Sequence, residues 1–406
     1  AAEERLRRPA RQPPQELAGL AWALAVLGVV ELGLLRLLSE QAMVRIADFE
    51  LYDLRNLAWG LAAAAALSTT CVAALKAVQR ELAERLRSRG PLSDRSTSPS
   101  VRAQFADVIL GVVWASSFGD CLDEGLLADA RLALACVGRE ADVGSSNGTH
   151  AAAAGVSPLA GSTGGVMADP PAASPTDPEE PRVVLKLADR WVISKPPGWE
   201  VFDRNLALEA QHLIEFLRAQ SRQLQRPILQ DASYQFGFLH RLDVPSSGLI
   251  LVAGTYEAYY DLRLQLHVGM LLRDYAVLCH GWVPPQRVDV SAPVRWRGRG
   301  STVAGWQGKP SQTRLKVAAH ALHRAQALTL LAVRIVTGRR HQIRSHTGHI
   351  GNPTVCDGKY TGTDTFSADR RWCARNFLHR HRLAFCDSAG LLREAVAPLP
   401  LDLTAA

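Results

Sequence analysis

His240-Arg241-Leu242-Asp243-Val244-Pro245-Ser246-Ser247-Gly248-Leu249 sets two charges, Arg241 and Asp243, between the apolar pairs and runs Phe238-Leu239 and Leu249-Ile250-Leu251-Val252. A carboxylate at the mouth of an apolar run is costly unless a cation pairs with it or a reaction uses it. Further along, Gly338-Arg339-Arg340-His341-Gln342-Ile343-Arg344-Ser345-His346 supplies such cations. An isolated Arg-x-Asp is ordinarily a buried ion pair that only fixes the fold. Asp243 becomes a candidate covalent nucleophile if it stays ionised in a partly dry site. That requires a cation within a few ångströms to hold its pKa down. Arg344 is the expected partner, with Arg241 second.

The chain has 406 residues, 47% of them hydrophobic, enough for two domains or for one domain and an appendage. Its charge is unevenly placed. From Val184 to the end, 29 lysines and arginines stand against 17 carboxylates, a net +12, while the preceding part carries −5 of the overall +7. The basic half is the better candidate for a polyanionic partner. The seven cysteines form no C-x-x-C pair and are odd in number. A disulfide framework and a zinc ribbon are therefore not expected, and a reducing, intracellular compartment is. His346-x-x-His349 with His341 lacks a third type of ligand, so no metal is expected.

Residues 1–137 read as an α-helical region. Leu57 to Leu75 is an uncharged 19-residue run, long enough to span a bilayer. It is rich in alanine, however, and holds Ser68, Thr69 and Thr70. Packed soluble helices are the expected state, with a membrane hairpin as the alternative. Residues 138–182 are dominated by Gly, Ala, Ser, Thr and Pro and read as a disordered linker. Residues 183–406 are expected to fold alone. Val183–Leu187, Trp191–Lys195, Leu249–Ala253, Tyr275–Cys279, Leu315–Ala319 and Leu328–Ile335 read as strands, and Asn205–Gln225 has helical spacing. Their irregular interleaving predicts an α+β domain.

The motifs of residues 184–403 resemble, in order, those of the RluA-type family of RNA pseudouridine synthases. Lys195-Pro196-Pro197-Gly198 is similar to the family's opening turn. His240-Arg241-Leu242-Asp243-x-x-Ser246-Ser247-Gly248-Leu249 resembles its catalytic motif, with Ser246 where Thr is usual. Arg273-Asp274-Tyr275-x-Val277-x-x-x-Gly281 resembles the strand that bears the active-site tyrosine. Gly338-Arg339-x-His341-Gln342-Ile343-Arg344-x-His346 and Gly351-x-Pro353-x-x-x-Asp357-x-x-Tyr360 resemble the third motif. Leu378-His379 and Ala397-Pro398-Leu399-Pro400 resemble the closing strand and tail. Three departures stand out: Arg340 replaces a frequent Thr, Cys356 a frequent Gly, and His379-Arg380-His381 a commoner Leu-His-Ala. The small basic S4 domain often found at the family's N-terminus has no counterpart in residues 1–182.

The resemblance implies a pseudouridine synthase fold, a mixed and mainly antiparallel sheet with flanking helices and a central RNA cleft. It implies conversion of uridine to pseudouridine in rRNA, tRNA or mRNA by a monomer without metal or organic cofactor. Asp243 would be the catalytic aspartate, Arg344 its partner, and Tyr275 the stacking partner of the target base. Arg241 would enter the space left by the flipped nucleotide, and His240, Ile343, Arg339 and Gln342 would line the substrate site. The chemistry is consistent with these roles. A stacked uridine must be extruded before its C1′ can be reached. An aromatic face supports the unstacked base, and arginines such as Arg295, Arg297, Arg299, Arg314, Arg339 and Arg340, with Lys309, suit phosphates. The rival expectation is a catalytically silent RNA-binding protein on the same fold.

Overall fold

A computed structural model describes residues 12–29, 31–65, 68–88, 98–147, 180–202, 212–221, 226–296, 301–305 and 307–406. Among the described residues six helices come first: α1 (Pro14–Leu27), α2 (Leu32–Val44), α3 (Leu51–Ala62), α4 (Thr69–Ser88), α5 (Pro99–Phe118) and α6 (Glu124–Asn147). Their leucine-rich faces meet in one bundle whose core includes Leu17, Leu38, Leu54, Leu57, Leu61, Leu75, Val78, Leu82, Ile109 and Val113. The apolar run Leu57–Leu75 is not one span. α3 ends at Ala62 and α4 begins at Thr69, so its two halves belong to different core helices. Among the described residues one helix, α5, is long and apolar enough to cross a membrane, and 44% of its most apolar window is buried within the fold.

One boundary differs from expectation. Residues 138–147 are not linker but the last turns of α6. The change of composition at Gly138 marks a close helix crossing. A Cβ there would stand 2.4 Å from the Glu257 backbone, so glycine lets α6 lie directly on the helix that carries Glu257. Residues 148–179, the bulk of the expected linker, lie outside the described residues.

Eleven strands are described thereafter: β1 (Arg182–Lys186), β2 (Arg190–Lys195), β3 (Ser247–Ala253), β4 (Leu272–His280), β5 (Asp289–Ser291), β6 (Val294–Trp296), β7 (Thr302–Ala304), β8 (Gln312–His323), β9 (Gln326–Ile335), β10 (Leu378–Cys386) and β11 (Leu392–Val396). The main sheet runs β1-β2-β3-β10-β4-β9-β8-β5, with β11 also paired to β10, and β6 and β7 form a separate hairpin. All pairings are antiparallel except the short parallel contact of β3 with β10 at His379↔Ser247 and Arg380↔Gly248. This is the mixed, mainly antiparallel α+β architecture expected. β3 is buried throughout, as its unbroken Leu249–Val252 run requires of a central strand. β4 alternates, so that Arg273, Tyr275, Val277 and Cys279 share its buried face. The helices α7 (Leu213–Ser221), α8 (Tyr256–His267), α9 (Gln342–His349), α10 (Thr363–Asp369) and α11 (Leu401–Thr404) flank the sheet.

The bundle is docked on the sheet domain through α8. Asp142 of α6 accepts the backbone N–H groups of Tyr256 (2.9 Å) and Glu257 (3.1 Å), satisfying two donors at the start of α8. Arg139 pairs with Glu257 at 2.9 Å, and Arg263 of α8 reaches Asp107 of α5 at 3.0 Å.

Candidate active site

Asp243 sits in the loop that leads into β3. Two anchors hold that loop from below. Gly198 N–H donates to the Val244 carbonyl at 2.9 Å. The buried Lys195 Nζ donates to the carbonyls of Pro196 (2.8 Å), Trp199 (2.9 Å) and Val244 (3.3 Å). Burial, with Arg375 nearby, pulls the Lys195 ammonium down to about 7, against the opposing pull of Asp243 and Glu200. Arg375 ties the far side of the loop, donating to the Pro245 carbonyl (3.2 Å) and to Ser247 Oγ (2.9 Å).

Arg344 comes from the first turn of α9, which follows β9. Its Nη1 donates to Asp243 Oδ2 at 2.7 Å. Its Nε and Nη2 form a fork on Asp357, at 2.7 and 2.6 Å. Asp357 is fully buried and also accepts from Thr354 Oγ1 and the Lys359 N–H. Burial works against the Arg344 charge, but Asp357 and Asp243 together hold the guanidinium more firmly protonated than usual. The Tyr360 ring lies 5.1 Å beneath it. The expected Arg344–Asp243 pair is therefore present, with Asp357 as a second carboxylate that sequence reasoning gave no role.

His341 stands at the N-cap of α9 with φ of 52°, in the left-handed region. Its Nε2 is 3.7 Å from Asp243 Oδ1, and its Nδ1 is 3.2 Å from the Tyr360 hydroxyl. Burial lowers its pKa to about 4 despite Asp243, with Arg344, Lys359 and Arg340 adding to the shift, so the ring is neutral at pH 7.

Tyr275 faces the same cavity from β4 and is nearly fully buried. Its cross-strand partner on β10 is Arg380. The Arg380 guanidinium lies 4.9 Å from the Tyr275 ring centre and donates to its hydroxyl. It also donates to the Leu249 carbonyl (2.9 Å) and to His240 Nδ1 (2.6 Å). Burial, with Arg380 and Arg273 nearby, pushes His240 well below its ordinary pKa.

The other expected site residues divide. Arg241 is half exposed and approaches Glu200 at 3.8 Å, free to reorient. Ile343 lines the cavity. Arg339 donates to the Pro310 carbonyl (3.3 and 3.2 Å) and lies over the Trp114 ring at 5.4 Å. Gln342 also lines the cavity, but its amide is engaged inside the protein. Its amide donates to the Gln312 carbonyl and Thr313 Oγ1, both at 3.0 Å, and accepts from Thr337 Oγ1 and the Arg339 N–H. With all these bonds made inside the protein, it shapes the loop. His346 is likewise engaged, with Thr313 Oγ1 and the Ala292 carbonyl both at 2.9 Å. Arg297 and Arg299 lie outside the described residues, while Arg340 stacks over the exposed Trp296 at 5.4 Å.

These groups surround one cavity of about 720 Å³. Nine cations line it: Arg55, Arg241, Arg263, Arg273, Lys309, Arg339, Arg340, Arg344 and Arg380. Asp243 is the one carboxylate among its described lining residues. Such a cavity attracts a polyanion and confronts it with a single anionic side chain.

Residues 189–349, which hold Asp243, Tyr275 and Arg344, match the family model described as RNA pseudouridylate synthase. Over these residues the chain is similar to RNA pseudouridine synthases of the RluA type. Similar proteins include the ribosomal large subunit pseudouridine synthase C of Haemophilus ducreyi, 31% identical over 201 residues, 48% of this chain and 58% of the relative. The ribosomal large subunit pseudouridine synthase D of Nitrosomonas europaea is 36% identical over 177 residues, 42% of this chain and 49% of that one. The chain thus spans about half the length of these pseudouridine synthases. A solved structure, human RNA pseudouridylate synthase domain containing 1, aligns with a TM-score of 0.43 at 24% identity, over 56% of this chain and 87% of that one.

Proposed function

We propose that the protein isomerises uridine to pseudouridine in a structured RNA, and that ribosomal RNA is the first substrate class to examine. The observation that carries this reading is the lone Asp243 carboxylate, paired to Arg344 at 2.7 Å in a cavity otherwise lined by cations. In the reaction the N1–C1′ bond of uridine breaks and a C5–C1′ bond forms. The proton on C5 is lost, and N1 ends protonated.

The cations hold the phosphates, and the target nucleotide leaves its stack to enter the cavity at a cost of roughly a few kcal/mol. Asp243, paired with Arg344 at 2.7 Å, acts at the glycosidic centre. Tyr275 supports the detached base and stands close to C5 when that proton leaves. Arg241, half exposed at the rim, occupies the place the nucleotide vacates. The match of residues 189–349 to the RNA pseudouridylate synthase model supports the same reading.

Pseudouridine mapping of total RNA from cells with and without the protein tests it. At least one pseudouridine should disappear with the protein and return with the wild-type chain but not with Asp243→Asn. An unchanged map, with RNA binding retained, would leave a silent RNA-binding protein instead.

A further inference from the structure

The bundle does more than pack against α8. Four of its residues, Arg55 and Trp59 of α3 and Gly111 and Trp114 of α5, form a wall of the Asp243 cavity. Trp59 and Trp114 are stacked with ring centres 6.5 Å apart and planes 23° from parallel. The series extends to Phe118 on one side, 5.2 Å from Trp114, and to Trp22 on the other, 6.4 Å from Trp59. Trp22 is 48% exposed, so the aromatic ladder runs from the outer surface to the cavity.

At the cavity end the ladder meets positive charge. Arg339 lies over Trp114, and Lys309 lies close to both Arg339 and Arg55. A Cβ on Gly111 would stand 2.7 Å from Arg55 Cγ, so the glycine leaves room for the arginine stem beside α5. Among the described residues, none of Arg55, Lys309 and Arg339 has an ion-pair partner. Arg55 and Arg339, both partly buried, and the exposed Lys309 sit together without a carboxylate and repel one another, and an anion between them removes that cost. A phosphodiester beside stackable rings is the ligand that satisfies both features, since bases stack on aromatic faces while cations track the backbone.

We propose that the bundle is a built-in wall of the RNA cleft: Arg55, with Lys309 and Arg339, holds a phosphate of the strand flanking the target uridine, and the Trp59–Trp114 pair receives a neighbouring unstacked base. This rests on the RNA-modifying reading of the Asp243 site and gives it a second recognition element, in which Arg55, Trp59 and Trp114 lie outside the matched 189–349. The bundle thereby selects unpaired flanking sequence.

Fluorescence anisotropy with a labelled oligouridylate of about 20 nucleotides, longer than a typical single-strand binding site, tests this on the full chain at several salt concentrations. Arg55→Gln should flatten the plot of log K against log salt by about one unit. Trp59→Leu should weaken binding by about tenfold at fixed salt while leaving the slope unchanged. Arg55→Gln removes a cation that repels two others and keeps the stem, so it preserves the fold and keeps the test valid should Trp59→Leu perturb packing. Wild-type binding and slope in both variants, with pseudouridine still formed by the wild type, would overturn this proposal and leave the activity standing. Tighter binding by either variant would make the bundle an obstruction and also overturn it. A wild-type chain that neither binds nor modifies RNA would instead remove the activity itself, and this proposal with it.

Discussion

Arg344 reaches Asp243 with one nitrogen, Nη1 to Oδ2 at 2.7 Å, while its remaining edge is clamped by the buried Asp357. The fork on Asp357 fixes the guanidinium plane before substrate arrives, so Asp243 meets a cation already aimed at it. One Asp243 oxygen is thus committed to Arg344, and the other, 3.7 Å from a neutral His341, remains available to the substrate.

Asp243→Asn should abolish isomerisation and leave RNA affinity within a few-fold of wild type. Asparagine keeps the shape and removes the charge and nucleophilicity. Tritium release from C5-labelled uridine in RNA, beside filter binding, checks both halves. Near-normal turnover would take Asp243 out of the mechanism.

Arg344→Ala should lower stability by roughly 3–5 kcal/mol, because it strands the Asp357 carboxylate in the interior. Its slope of log K against log salt should stay at the wild-type value, since the lost charge faces carboxylates and not phosphates. Arg340→Ala, at the exposed rim, should instead keep stability and flatten the slope by about one unit. Urea titration and salt-dependent binding decide it; a flattened slope with unchanged stability in Arg344→Ala would reverse the assignment.

Tyr275→Phe removes the oxygen that accepts from Arg380, leaving a buried guanidinium N–H unsatisfied at about 1–3 kcal/mol. Turnover should fall because the ring is then no longer held at its outer end. Arg380→Met should cost more stability than Tyr275→Phe, because it also takes the donor from the Leu249 carbonyl and His240 Nδ1. A Tyr275→Phe variant as stable as wild type in urea titration would mean that the Arg380 bond to Tyr275 is not what stabilises this layer.

Much of this was legible in the sequence, for local reasons. β3 declares itself by an unbroken apolar run and β4 by the apolar Tyr275–Cys279, and both place their motifs correctly. The Arg344–Asp243 pair followed from electrostatics, because an apolar-flanked carboxylate needs a cation. What was hidden depends on register and docking. Arg380 faces Tyr275 only because β10 pairs with β4 in one particular register. In sequence it was merely a departure from a common pattern. Asp357 was quoted within a motif, but its role needs Arg344 to fork across 13 residues of chain. β6 and β7 have three residues each, too few for periodicity to speak. Gly138 and the small residues after it read as linker because a glycine in a helical crossing and a glycine in a loop look alike without the partner helix.

Lys195 gives a prediction that turns on pH. Its ammonium is buried and titrates at about 7 in the folded protein, against about 10.5 in the unfolded chain. Below pH 7 both states hold the proton, and the folded state carries the full cost of burying the charge. Between about 7 and 10.5 the unfolded chain keeps a proton that the folded protein has released, so this group makes the protein more stable as pH rises. Lys195→Met keeps much of the side-chain volume and removes the titration, along with the three bonds to the carbonyls of Pro196, Trp199 and Val244. The stability of wild type minus that of Lys195→Met should therefore climb by a few kcal/mol between pH 7 and pH 10 and stay flat below pH 6, a shift of one pKa unit being worth about 1.4 kcal/mol. Urea denaturation of both chains across that range measures the difference, in which groups common to the two cancel. A flat difference through pH 10 would mean that the three carbonyls keep Lys195 protonated, and the positioning of the Asp243 loop would then rest on a permanent buried cation.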